Sequence, residues 1–170
     1  MKLPIPRLFA LLTSAALVAA LFLIPATAGA AGGGDSASGH STEFGTITDF
    51  SARSSNVNTD ARGRIRVTFA NSDPNDVYTA EVTCMKVVGA TATMPARVVV
   101  SGRIVSQPPG SSVVSIQVHA SDSGKFSNVP DSMDVFFFGT PSPPDGTCPV
   151  PFTFVSPLAD GEVVIQNTLP

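Results

Sequence analysis

The apolar rhythm of the chain changes near residue 44. From Leu8 to Ile24 almost every side chain is apolar, whereas from Phe44 onward apolar and polar residues alternate in short runs parted by turn-forming residues. Alternation at period two puts successive side chains on opposite faces of an extended chain, so this second region predicts strands and no helical stretch. The cleanest run is Arg62 to Ala70, where Ile65, Val67 and Phe69 alternate with Arg64, Arg66 and Thr68.

Other strands are expected at Phe44 to Ser51, Tyr78 to Val88, Arg97 to Val105, Ser112 to Ala120 and Met133 to Gly139, with a short one at Ala90 to Met94. In the second of these Tyr78, Ala80, Val82 and Cys84 share a face. Met133 to Gly139 is apolar on both faces, the mark of a central or doubly covered strand. Cys148 to Val155 and Glu162 to Leu169 read as a hairpin about Leu158-Ala159-Asp160-Gly161. Turn chemistry is dense at Asn71-Ser72-Asp73-Pro74-Asn75-Asp76 and at Gln107-Pro108-Pro109-Gly110. The expected fold class is all-β: an antiparallel sandwich or small meander barrel of about eight strands, two architectures that share this pattern.

The N-terminal apolar run follows Lys2 and Arg7 and ends at Pro25, before the small residues Ala28-Gly29-Ala30. A basic start, an apolar stretch and a small-residue site make a secretory signal peptide, so residues 1–30 are expected to be removed on export. Residues 31–43 are rich in Gly and Ser and read as a flexible leader. Residues 44–170 are expected to form one β-domain. The expected location is secreted or extracellular, with periplasm or cell envelope as the other exported compartments.

Charge narrows the range of partners. The chain has 10 Lys+Arg and 13 Asp+Glu, and removing Lys2 and Arg7 leaves 8 against 13, a formal charge of −5. An acidic exported domain has no electrostatic attraction to nucleic acid or to anionic lipid, so neither is expected as partner once the signal is cleaved. The two cysteines, Cys84 and Cys148, are expected to form a disulfide in an oxidising compartment.

The segment Val82-Thr83-Cys84-Met85-Lys86-Val87-Val88-Gly89-Ala90-Thr91-Ala92 resembles a V-T-C-L-x-V-x-G-x-x-A motif. That motif occurs in small exported bacterial proteins, largely actinobacterial, of unassigned function. Asp122-Ser123-Gly124, Pro130-Asp131, Cys148 and Gly161-Glu162-Val163-Val164 are similar too and follow in the same order. The resemblance implies an exported β-domain and brings no catalytic residues with it.

Motifs for zinc, phosphate and dinucleotide binding and for a serine nucleophile elbow are absent from the sequence, and no cofactor or metal is expected. Arg62, Arg64 and Arg66 fall on one side of a strand and could receive a carboxylate or an anionic polymer, although such rows also serve as solvated faces. His119 is a candidate base, read mainly as a solvent-facing strand residue. His40 lies in the leader and is expected to be inert. Asp73, Asn75 and Asp76, and separately Asp122, Asp131 and Asp134, bring oxygens together but read chiefly as turn residues. Phe136, Phe137 and Phe138 read as core, since sugar and base platforms favour the Trp that this chain lacks.

The resulting expectation is a non-enzymatic exported β-domain, a binding or structural component outside the cell, whose partner is a protein or a small apolar ligand. The alternative is a barrel-pocket enzyme of lyase or isomerase type using His119 or a carboxylate.

Overall fold

In the computed structural model, residues 34–55, 60–72, 76–124, 129–141, 148–151 and 156–167 are described. They form eight strands: β1 (Ser36–Glu43), β2 (Thr46–Ser54), β3 (Ala61–Phe69), β4 (Val77–Val88), β5 (Ala96–Ser106), β6 (Ser115–Asp122), β7 (Ser132–Phe138) and β8 (Gly161–Gln166). All belong to one antiparallel sheet in the order β7-β6-β5-β4-β3-β2-β1-β8. The first seven strands are a meander, and β8 returns to the far side of β1. The expected all-β antiparallel fold of about eight strands is present as one curled sheet, without the two separate sheets of a sandwich. Among the described residues no helix is long and apolar enough to cross a membrane.

The core is the concave face of the curl. Ile65 and Val67 of β3, Val98 and Val100 of β5, and Ile116 and Val118 of β6 are all fully buried there. Phe50, Ala80, Met85, Met133 and Val163 join the same cluster. Small residues let the walls approach. A Cβ on Gly39 would collide with the Phe50 ring and come within 2.9 Å of the Met133 methyl. At the edge of the cluster Phe69, Tyr78 and Phe137 pack as an aromatic trio with ring centroids 5.1–5.9 Å apart.

Two edges remain after the meander, and the curl brings them together. Ser132 and Pro157 form an antiparallel bridge, with the Met133 N–H donating to Ser156 O at 3.0 Å and the Leu158 N–H to Asp131 O at 2.8 Å. Further along, side chains replace the ladder. The Val163 N–H donates to Asp131 Oδ2 and the Ile165 N–H to Asp122 Oδ2, both at 2.8 Å. A sheet edge carries a row of N–H and C=O groups that need partners, and these carboxylates supply them for β8.

Several expectations need correction. Residues 36–43, read as the end of a flexible leader, are strand β1, paired with β2 over its whole length and with β8 from Ser36 to Ser41. Ala37 is buried there, and Gly39 and Ser41 face the same way, so this strand buries small side chains that carry no hydrophobic signature. Residues 90–94 form a turn closed by the Thr91 N–H to Met94 O bond, not a strand. The hairpin of Cys148 to Val155 with Glu162 to Leu169 is replaced by pairing of β8 with β1, and residues 148–151 are not a strand. Residues 152–155 lie outside the described residues. The doubly covered strands are β5 and β6, while β7 ends the strand order.

A bulge settles the place of the disulfide. Val82 pairs with Gly102 and Cys84 with Ser101, so Thr83 is an extra residue in β4. The extra residue reverses the alternation. Cys84 therefore leaves the face of Ala80 and Val82 and points to the convex side, while Met85 enters the core. There Cys84 is bonded to Cys148, with Cα atoms 5.7 Å apart.

Candidate functional site

The convex face of β8, β1, β2 and β3 carries three cross-strand rows. The registers align Glu162–His40–Asp49–Arg66, then Val164–Ser38–Ser51–Arg64, then Gln166–Ser36–Arg53–Arg62. Because strand side chains alternate, the inward partners of these residues anchor the wall and leave this face free to carry polar groups. Two hollows lie along the rows. One of about 580 Å³ is lined by residues including His40, Asp49, Arg64, Arg66 and Glu162, and one of about 420 Å³ by residues including Arg53, Arg62 and Gly63. Both include Ser38 and Ser51, so together they form a continuous shallow trough. Its exposed side chains are polar or charged apart from Val164.

Charge is distributed unevenly across the trough. Three arginines stand on β3 and Arg53 on β2, whereas of the acids Glu162 is on β8 and Asp49 on β2 beside Arg66. His40 Nδ1 and Asp49 Oδ1 are 2.7 Å apart, with both side chains about half exposed. His40 Nε2 lies 3.4 Å from Thr42 Oγ1. Arg62 stands 3.8 Å from Asp60 in a largely exposed pair. Among the described residues, no ion pair within 4 Å holds Arg53, Arg64 or Arg66.

Arg62, Arg64 and Arg66 thus lie exposed on one side of β3, along the trough. His119 does not join them. It sits on the convex face of β6, with β4 and β5 between, and lines neither hollow. The solvent-facing reading of His119 is corrected: its side chain is only 1 % exposed. Nε2 lies 3.1 Å from Gln117 Oε1, and the ring meets Phe136 edge-on at a centroid distance of 5.4 Å. Burial lowers its pKa from 6.5 to about 4, an effect that the facing Asp134 carboxylate partly offsets. His119 is therefore neutral at ordinary pH.

The other candidates resolve into structural roles. Asp122 and Asp131 hold β8, and Asp134 Oδ2 accepts the Ser156 N–H at 3.1 Å. Among the described residues no group of three His, Cys, Asp or Glu side chains is placed to hold a metal ion. Asp73 and Asn75 lie outside the described residues, and Asp76 closes the β3–β4 connection by accepting the Phe69 N–H through its carbonyl. Of the phenylalanine run, Phe137 packs against the core and Phe136 against His119, both half-buried.

His40 and Arg53 belong to the trough, and the local sequence pattern does not point to either. The Gly and Ser content around His40 suggests an inert leader, although Ser36, Ser38, His40 and Thr42 alternate with the small set Ala37, Gly39 and Ser41. Arg53 continues the alternation Asp49, Ser51, Arg53 beyond the expected strand end at Ser51. Comparison with protein-family models, curated proteins and solved structures gives no match.

Proposed function

We propose that the chain is an exported, non-enzymatic binding domain that meets a protein partner outside the cell through the trough on β8, β1, β2 and β3. The observation that carries this reading is the trough itself, where charged side chains stand on a packed floor and three arginines have no internal ion-pair partner among the described residues. Export is supported by the basic, apolar and small-residue pattern of residues 1–30 and by a disulfide, which persists in oxidising compartments. The likeness of residues 82–92 to exported bacterial domains points the same way. A small apolar ligand has less support, because Ile65, Val67, Val98, Val100, Ile116 and Val118 occupy the concave side.

Two measurements test the reading. N-terminal sequencing of the exported protein is expected to start at Ala31, and an intact leader on a cytosolic product overturns export. The exported protein is then screened on arrays of extracellular glycans and peptides, and each binder is mapped by hydrogen exchange. Protection is expected on β1, β2 and β3. A footprint elsewhere overturns the trough as the site, and turnover of a bound compound overturns the non-enzymatic role.

A hydrolytic reading has one observation in its favour. Thr42, His40 and Asp49 are connected as nucleophile, base and orienting carboxylate. The 3.4 Å contact is long and the dyad is open to water, which weakens proton transfer. Ester hydrolysis that disappears in Thr42→Val would establish it.

A further inference from the structure

Arg53 and Arg62 are direct cross-strand partners on the convex face of β2 and β3. Like charges placed directly opposite destabilise a sheet. The Asp60 carboxylate, 3.8 Å from Arg62 and well exposed, offsets little of this. The nearby acids are directed otherwise. Asp49 faces Arg66 across the ladder but binds His40, and Glu81, opposite Arg64, forms no ion pair with it within 4 Å. Four guanidinium groups thus line one side of the trough, three of them without an ion pair among the described residues and Arg62 held only by its exposed contact to Asp60, and their planar forks match carboxylates two oxygens at a time.

We propose that this side of the trough takes an extended acidic peptide segment of a protein partner, with carboxylates at every second residue. The proposal rests on the binding reading above and adds the chemistry of the ligand. Alternate residues of a strand are about 6.6 Å apart, so Arg62, Arg64 and Arg66 repeat at that interval along β3. Alternate side chains of an extended peptide repeat at the same interval, so three of its carboxylates meet three arginines in one register. Arg53 lies beside Arg62 at the end of the row and holds the same carboxylate from the other side. Ser38 and Ser51 provide hydroxyls on the floor for the peptide backbone.

The acids of the trough select against other anions. Glu162 bounds it on the β8 side, and Asp49 stands on β2 beside Arg66. A densely charged polysaccharide or nucleic acid would bring negative charge against them, whereas a segment with alternate neutral residues need not. A neutral sugar chain would need an aromatic platform, and no exposed aromatic side chain lines the trough.

The test uses the exported protein and two capped nine-residue isomers, one alternating Ser and Glu, the other with its four Glu in one central block. Affinity is read by NMR titration at low salt. The alternating isomer is expected to bind about fivefold tighter, the equivalent of one or two exposed ion pairs. Arg53→Thr and Arg62→Thr are each expected to weaken it about threefold while melting at an equal or higher temperature, because each removes a like-charge contact. Equal affinity of the isomers, or unchanged binding in both variants, overturns the proposal. So does tighter binding of polygalacturonate or dextran sulfate, which would assign the face to an acidic polysaccharide. If arrays reveal trough-directed binders that carry no charge, the binding reading stands and this proposal falls.

Discussion

The Asp131 carboxylate accepts the backbone N–H of Val163 at 2.8 Å and so joins two edges of the sheet that no strand ladder joins among the described residues. Its other oxygen accepts the Ser123 N–H at 2.9 Å. One side chain thus ties the β6–β7 connection to β8. Asp122 repeats the device one step along, on Ile165.

Removing this clasp leaves part-buried donors without partners. Asp131→Ala is expected to destabilise the fold by about 2 kcal/mol, the range of hydrogen bonds to charged acceptors. Asp131→Asn is expected to be milder, since the amide keeps one acceptor oxygen but not two. Urea denaturation measures both. Hydrogen exchange should show faster exchange at Val163 in each variant, and unchanged protection there would contradict the assigned role.

His119 ties stability to pH. Its pKa is about 4 in the folded chain against 6.5 unfolded, so between these values the unfolded chain binds the extra proton. The stability it contributes is complete above pH 6.5 and is lost as pH falls toward 4, by at most about 3 kcal/mol. His119→Gln is expected to flatten this part of the pH–stability curve relative to the parent. A parent curve already flat from pH 7 to 4.5 would show that the ring is not held neutral by burial.

The β1–β2 turn offers a stabilising substitution. Phe44 and Gly45 connect the strands with φ values of 48° and 78°, both left-handed as a type I′ turn requires. Phe44 is 99 % exposed, so its ring gains no packing, and a bulky residue is costly in this region. Asn71 Nδ2 donates to Phe44 O at 3.2 Å and fixes the turn against the β3–β4 connection. Phe44→Asn is expected to raise stability by about 0.5–1 kcal/mol, seen as a higher Tm. A lower Tm would mean that the ring contributes contacts after all. Gly45→Ala should act in the opposite sense, because its Cβ would strike the Asn71 side chain.

The disulfide closes a loop with a sequence separation of 64 residues between Cys84 and Cys148. On the chain-entropy account, its loss through Cys148→Ser should cost roughly 4 kcal/mol. Guanidinium unfolding with and without reductant measures this. The variant should unfold at the same midpoint in both, while the parent shifts only when reduced.

Strands with large apolar side chains were legible in the sequence. Ile65 and Val67, Val98 and Val100, and Ile116 and Val118 fall in the core on the phase their alternation predicts. Where the inward residues are small, as in Ala37, Gly39 and Ser41, burial leaves no mark in hydrophobicity, and β1 with its His40 has the composition of a leader. The three arginines of β3 share a face by their spacing alone. Their relation to Arg53 does not follow from spacing, because it depends on register between strands.

By itself the sequence determined most of the strand-forming segments from β2 onward, the apolar faces of most of them and the two cysteines, since these follow from local alternation and composition. Tertiary structure alone decided that the sheet curls instead of splitting in two, that the Thr83 bulge turns Cys84 outward, and that Asp122 and Asp131 close the edge. It also decided that Arg53 faces Arg62 and that His119 is buried. Each of these depends on which residues far apart in the chain come into register. Pairing over such separations is set by the packing of the whole sheet, which no local pattern records.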